Sequence, residues 1–230
     1  LGDVAQNDGR AGHAHRHAQV LEALVGVCRS VWGARVEMEP QDYTPYSMYR
    51  PDLVAHLQAR NGQSLVVDTK VGDPIGSDVA VCGRRGAFVG LGNTAPRFDK
   101  LVHGLKQRGD PSHGYFDPKT GRGYVAACDG DYAQAKQLGH DVRALVFESY
   151  GGFGKDVVRL LKRLAADVGG KLSARQYDEA TWSTRSWLSF QTQRLSVALH
   201  LALAWEIGSE LGLGVCCGAD PRAGGGAAAA

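Results

Sequence analysis

The chain has 230 residues, 43% of them hydrophobic and 22% charged, which suits a globular domain able to bury a real core. Its formal net charge of +2 is nearly neutral, so a polyanionic partner has to be argued from where charges cluster. Five cysteines, odd in number and without a CxxC pair, argue against a disulfide framework or a zinc knuckle and for a reducing, intracellular setting.

No apolar run is long enough to span a membrane, and no signal peptide opens the chain, which begins with Leu as a piece cut from something longer would. Residues 14–31 carry Leu21, Leu24, Val25 and Cys28 at helical spacing and predict an amphipathic helix that Gly33 ends. The segment ARVEMEP is a short alternating strand. YRPDLVAHL is a second one, with Pro51 at its start, where a missing amide is tolerable. Asn61-Gly62 signals a hairpin, and SLVVDTKV returns from it as an apolar, valine-rich third strand. Residues 72–128, with their glycines, Arg84-Arg85 and the turn-rich DPKTGRG, read as a looped insertion with one helix over 98–107. A helix over 131–138 leads into VRALVFES, a buried and parallel strand. Helices over 154–168 and 184–211 form a helical extension spanning 151–212, and the low-complexity tail 213–230 is expected to be disordered. The predicted fold class is α/β: one domain over 1–212, with a mixed central sheet flanked by helices and a core over about 14–150.

The third strand poses a question, because an apolar run puts out Asp68 and then Lys70 on the same face. A hairpin closed by Arg60, Asn61 and Gly62 would set Asp52 opposite Lys70, with Asp68 on the diagonal, roughly 5 Å and 7–8 Å away. Two readings stay open: a solvated strand end with a surface ion pair, or a metal-dependent nuclease site. Phosphodiester hydrolysis needs a hard cation to neutralise the phosphate and acidify a water. Mg²⁺ takes oxygen ligands, which Asp52, Asp68 and the backbone carbonyl of Thr69 could supply, while Lys70 orients the water or stabilises charge. A second acid-x-lysine, Asp117-Pro118-Lys119, sits in a turn and carries no such context.

RPDL at 50–53 followed by VVDTK at 66–70 resembles the PD-(D/E)XK nuclease superfamily, the restriction-endonuclease-like fold, whose core has a similar element order. HRHAQVLEAL, VEMEP, YRPDL, VVDTKVGDP, FESYGGFG and QRLSVAL resemble, more narrowly, the C-terminal restriction-like endonuclease domain of non-LTR retrotransposons. The resemblance implies a nuclear, Mg²⁺-dependent endonuclease, with Mn²⁺ as a substitute, that nicks target DNA beside a reverse transcriptase of the same parent polyprotein. It implies Asp52 and Asp68 as metal ligands and Lys70 as the catalytic lysine. Arg16-His17 matches a basic-histidine motif, which places His17 toward the active site, and Arg50 matches the basic residue before Pro-Asp. Many such domains carry another residue in place of Lys70, and these 230 residues hold neither a reverse transcriptase nor a cysteine-histidine zinc motif. A resolvase or restriction-type nuclease of the same fold, and an inert DNA-binding remnant, are the alternatives.

Other side chains admit two readings each. His13, His15 and His17 alternate, but only His13 and His17 would share a helix face. Glu22 and Glu39 are either additional acids or surface glutamates. Lys136 either reaches over the site or is solvated. Lys155, Arg159, Lys162 and Arg163 form a basic helix stripe that could meet phosphates or simply face water. Trp182, Trp187 and Trp205 are expected as core anchors.

Overall fold

Val20, Leu21, Leu24, Val25, Val27 and Cys28 are all buried along one side of the first helix, α1 (Ala11–Trp32). The computed structural model describes residues 11–41, 49–57, 63–72, 98–117, 119–148, 151–180 and 185–211. The hairpin turn, residues 73–97 of the insertion, Trp182, the tail and Cys216-Cys217 lie outside them. Gly33, at φ 64°, ends α1 as expected, and a 3-10 turn leads into β1 (Val36–Met38).

β1 pairs antiparallel with β2 (Leu53–Ala55), β2 antiparallel with β3 (Leu65–Gly72), and β3 parallel with β6 (Asp141–Glu148). The sheet order is β1-β2-β3-β6, a mixed sheet in an α/β protein. Between β3 and β6 come a helical stretch over 98–103, a ribbon of β4 (Arg108–Gly109) and β5 (Tyr124–Val125), and the short α2 (Ala133–Gln137). α3 (Lys155–Asp167), α4 (Ala174–Glu179) and α5 (Trp187–Glu210) complete the order. The ribbon and α4 were not legible in the sequence.

Two apolar layers sandwich the sheet. Leu53, Ala55, Leu65, Val67, Leu145 and Phe147 point to one side and join α1, α3 and α5 in the larger cluster. The helices expected as an extension thus belong to the main core. On α3 the buried residues are Val157, Leu160, Leu161 and Leu164, whereas Val158 is 37% exposed. Val66, Val142 and Ala144 point the other way, under Val102, Tyr132 and Ala135. β3 is apolar on successive residues because it is covered on both faces. Truncating a fully buried leucine such as Leu145 would cost about 2–5 kcal/mol.

The register corrects one expectation. Leu53 pairs with Val67 and Ala55 with Leu65, and continuing that pairing sets Asp52 against Asp68 rather than Lys70. The pairing is two residues away from the expected one, so each side chain keeps its face. The alternation of core residues fixes the face, whereas the turn alone chooses among registers that preserve it.

Candidate metal and DNA site

Asp68 and Lys70 continue the face that begins with Val66, where the apolar cover gives way. Lys70 Nζ lies 3.1 Å from Asp68 Oδ1, so the two opposite charges on one strand face are an ion pair. Asp68 is only 6% exposed, and burial pushes its carboxyl up to about 6, with the Lys70 ammonium opposing and Asp52 adding to the rise.

Asp52 comes to this point from the start of β2. Its amide donates to the carbonyl of Val67 at 3.0 Å, and its Oδ2 accepts the amide of Thr69 at 2.5 Å. His17 reaches in from the first part of α1. Its Nε2 lies 3.2 Å from Asp52 Oδ2 and 3.0 Å from the carbonyl of Thr69, so Nε2–H donates to one or both. The hydrogen bond to Asp52 raises the His17 pKa above its ordinary value, against the effect of burial. His17, Asp52, Thr69, Asp68 and Lys70 therefore meet across three elements.

The other expected residues lie apart from that group. Arg16 is buried, with Nη1 3.0 Å from Glu206 Oε2 on α5, and so takes a structural position instead of facing phosphates. Its neighbour His15 stacks on Trp205 with ring centroids 3.7 Å apart. Trp187 is buried at the start of α5, as expected of an anchor. Arg50 is exposed and bound to Glu39 at 3.0 Å. Lys136 points its ammonium to the carbonyl of His103, 3.4 Å away, and Lys155 and Arg159 face Asp99 and Asp156 at 3.7 and 3.0 Å. Glu22 is exposed on α1.

Two residues near the site were missed. Tyr132 is 3% exposed and its hydroxyl donates to the carbonyl of Arg50 at 3.3 Å, tying α2 to the chain that delivers Asp52. Burial raises its pKa, and the charges of Asp68, Asp52 and Asp131 raise it further. The signal was available, since Tyr132 and Ala135 lie three apart and mark the side of α2 that faces the sheet, one residue round from Lys136. Glu148, 1% exposed at the end of β6, shares the face of Lys70 and pairs in register with Gly72. A Cβ on Gly152 would overlap its carboxylate. FESYGGFG contains both residues, yet alternation in so apolar a strand does not single out its last acid.

The donors available at the site are carboxylate and carbonyl oxygens, the set a hard divalent cation prefers. Among the described residues no group of three or more His, Cys, Asp and Glu is placed to hold a metal ion by itself. A cation held by Asp52 and Asp68 would complete its shell with the Thr69 carbonyl, water and substrate, and the Thr69 oxygen has a second lone pair beside its bond to His17. None of the described helices is long and apolar enough to cross a membrane. Compared with known proteins, the chain matches no family model and no curated protein.

Proposed function

We propose that this chain is a metal-dependent DNA endonuclease with a restriction-endonuclease-like core of the PD-(D/E)XK kind, nicking target DNA for the integration of a retrotransposon. One observation carries the reading: Asp52, just ahead of β2, falls beside Asp68 of β3 when the strand pairing is continued by one residue, with the Lys70 ammonium 3.1 Å from Asp68. The order helix, three strands, helix, strand is consistent with it. A bound Mg²⁺ or Mn²⁺ would neutralise phosphate charge and acidify a water. Asp52 and Asp68 would hold it. Lys70 places a positive charge where negative charge develops on the phosphate. His17 and the Thr69 amide fix Asp52 so that the carboxylate does not have to be ordered when substrate arrives. A reverse transcriptase in the same parent polyprotein and a nuclear location belong to the same proposal.

The test is nicking of supercoiled plasmid in Mg²⁺, Mn²⁺ or EDTA by the parent, Asp68→Ala and Lys70→Ala. Metal-dependent nicking that both substitutions abolish is the expected result. A parent that binds plasmid and leaves it intact would remove the catalytic reading and leave an inert DNA-binding domain.

A further inference from the structure

The ribbon between the 98–103 helical stretch and α2 has an organisation that packing does not explain. From Lys106 to Tyr115 every residue is exposed, and Lys119 to Arg122 are exposed too. Its shape comes from backbone meeting backbone. A Cβ at Gly109 would overlap the carbonyl of Gly123, and one at Gly123 would overlap the carbonyl of Tyr115 and the Cα of Phe116, with both glycines at positive φ (77° and 98°). Two aspartates lock the turns. Asp110 accepts from the amide and hydroxyl of Ser112, and Asp117 from the amide of Lys119 and the hydroxyl of Thr120. These bonds hold both carboxyls below their ordinary pKa.

What this scaffold displays is cationic and aromatic. Lys106, Arg108, Lys119 and Arg122 are exposed, and none lies within ion-pair distance of a carboxylate among the described residues. That contrasts with Lys155 and Arg159, which carboxylates already hold. Tyr115 is 90% exposed. The ribbon is also rooted beside the candidate site. Leu105 and Cys128 close its base, next to Val102 and Tyr132, which pack on Val66 of β3, two residues before Asp68.

We propose that this β-ribbon is the surface by which the protein grips duplex DNA, with Lys106, Arg108, Lys119 and Arg122 on phosphates and Tyr115 against the exposed edge of the duplex. The inference rests on the nuclease reading for its substrate class. A two-stranded ribbon fits the major groove of B-DNA, and unpaired cations release counterions when they meet phosphates. Placement on the face of Asp68 and Lys70 would bring a gripped backbone to the carboxylates.

The experiment uses the whole chain and a labelled duplex. It compares the parent with the fourfold variant Lys106→Gln, Arg108→Gln, Lys119→Gln, Arg122→Gln, with Tyr115→Ala, and with a charge-matched variant of Arg29, Lys171, Arg175 and Arg185 to Gln. Affinity is measured over a salt series and nicking is measured in parallel. The fourfold variant should weaken binding at least about tenfold near 0.1 M salt and flatten the log–log salt slope by about 3–4. Tyr115→Ala should weaken binding with the slope unchanged, and the charge-matched variant should bind as the parent does. Equal loss in the ribbon and charge-matched variants, no loss in either ribbon variant, tighter binding of RNA than of duplex, or a parent that binds no duplex would each overturn the inference. Lost binding in the ribbon variants with no nicking by any protein would sustain the ribbon and sink the nuclease. Nicking by the parent with unchanged ribbon binding would do the reverse.

Discussion

The amide of Thr69 donates to Asp52 Oδ2 at 2.5 Å, so the strand carrying Asp68 and Lys70 also holds the carboxylate facing them. His17 Nε2 adds a second contact to the same oxygen, while Oδ1 makes no hydrogen bond to a described residue. Asp52→Asn keeps an acceptor for both donors and removes the charge. It should fold as the parent does, within about 1 kcal/mol, and lose at least about 100-fold in nicking. Asp52→Ala leaves the buried Thr69 amide unpartnered and should cost about 1–3 kcal/mol as well. Urea titration separates the two variants, and equal stabilities would deny that Oδ2 has this structural part.

Lys70→Arg tests what the ammonium does. Arginine keeps the charge, but its planar fork is broader and more weakly hydrated than the compact ammonium. Nicking should fall about 10–1000-fold in Lys70→Arg and further in Lys70→Ala, with duplex affinity within about threefold of the parent in both. Full activity in Lys70→Ala would make the Asp68 pair a structural ion pair and nothing more.

Arg16 and Glu206 are buried together between α1 and α5, with side chains 4% and 7% exposed. Removing one partner takes away the opposite charge, 3.0 Å distant, from an ion that stays buried. Arg16→Ala and Glu206→Ala should each cost about 3–5 kcal/mol, whereas replacing both with Met and Leu should come within about 1 kcal/mol of the parent or exceed it. Additive losses in a double-mutant cycle would show that the pair is not coupled. The salt slope of DNA binding by Arg16→Met should match the parent, as it would not if Arg16 touched a phosphate.

Cys28 is fully buried on α1, and burial pushes its thiol from 9.0 up to about 12. Its folded pKa exceeds the unfolded one, so the native state keeps a proton that the unfolded chain releases, and stability falls as pH rises through that interval. At neutral to mildly alkaline pH, alkylation mapped by mass spectrometry should modify exposed Cys128 within minutes and Cys28 only at the rate of opening. Equal rates would contradict the packing of α1.

How much could be read beforehand follows from which residues carry period. α1, β3 and α5 have long apolar patterns, and their existence and side of the sheet were legible. Asp68 and Lys70 were legible because parity along one strand puts them on one face, and Asp52 joins them because the observed register differs from the expected one by two residues, where a shift of one would turn it away. The partner of Asp52 was not legible, because it depends on the turn. The ribbon escaped because glycine contacts and Asx turns set its shape, and neither leaves a hydrophobic period. Arg16 shows the limit of composition, since a cation destined for a buried carboxylate reads like one destined for a phosphate.

The longest pairing in the sheet joins Leu65–Gly72 to Asp141–Glu148, and everything between must be synthesised before it can close. Such a distant pairing is slow to find. Until it is found, β3 ends the sheet as a bare edge bearing Val66, Val67 and Val71, a template for pairing with any other strand nearby. Leu145 and Phe147 arrive with β6 and join the same core as α3, so docking of α3 should follow that closure. A chain cut short before Asp141 would then lose solubility before it lost helix, and a useful shortened form of this protein must carry β6 with it.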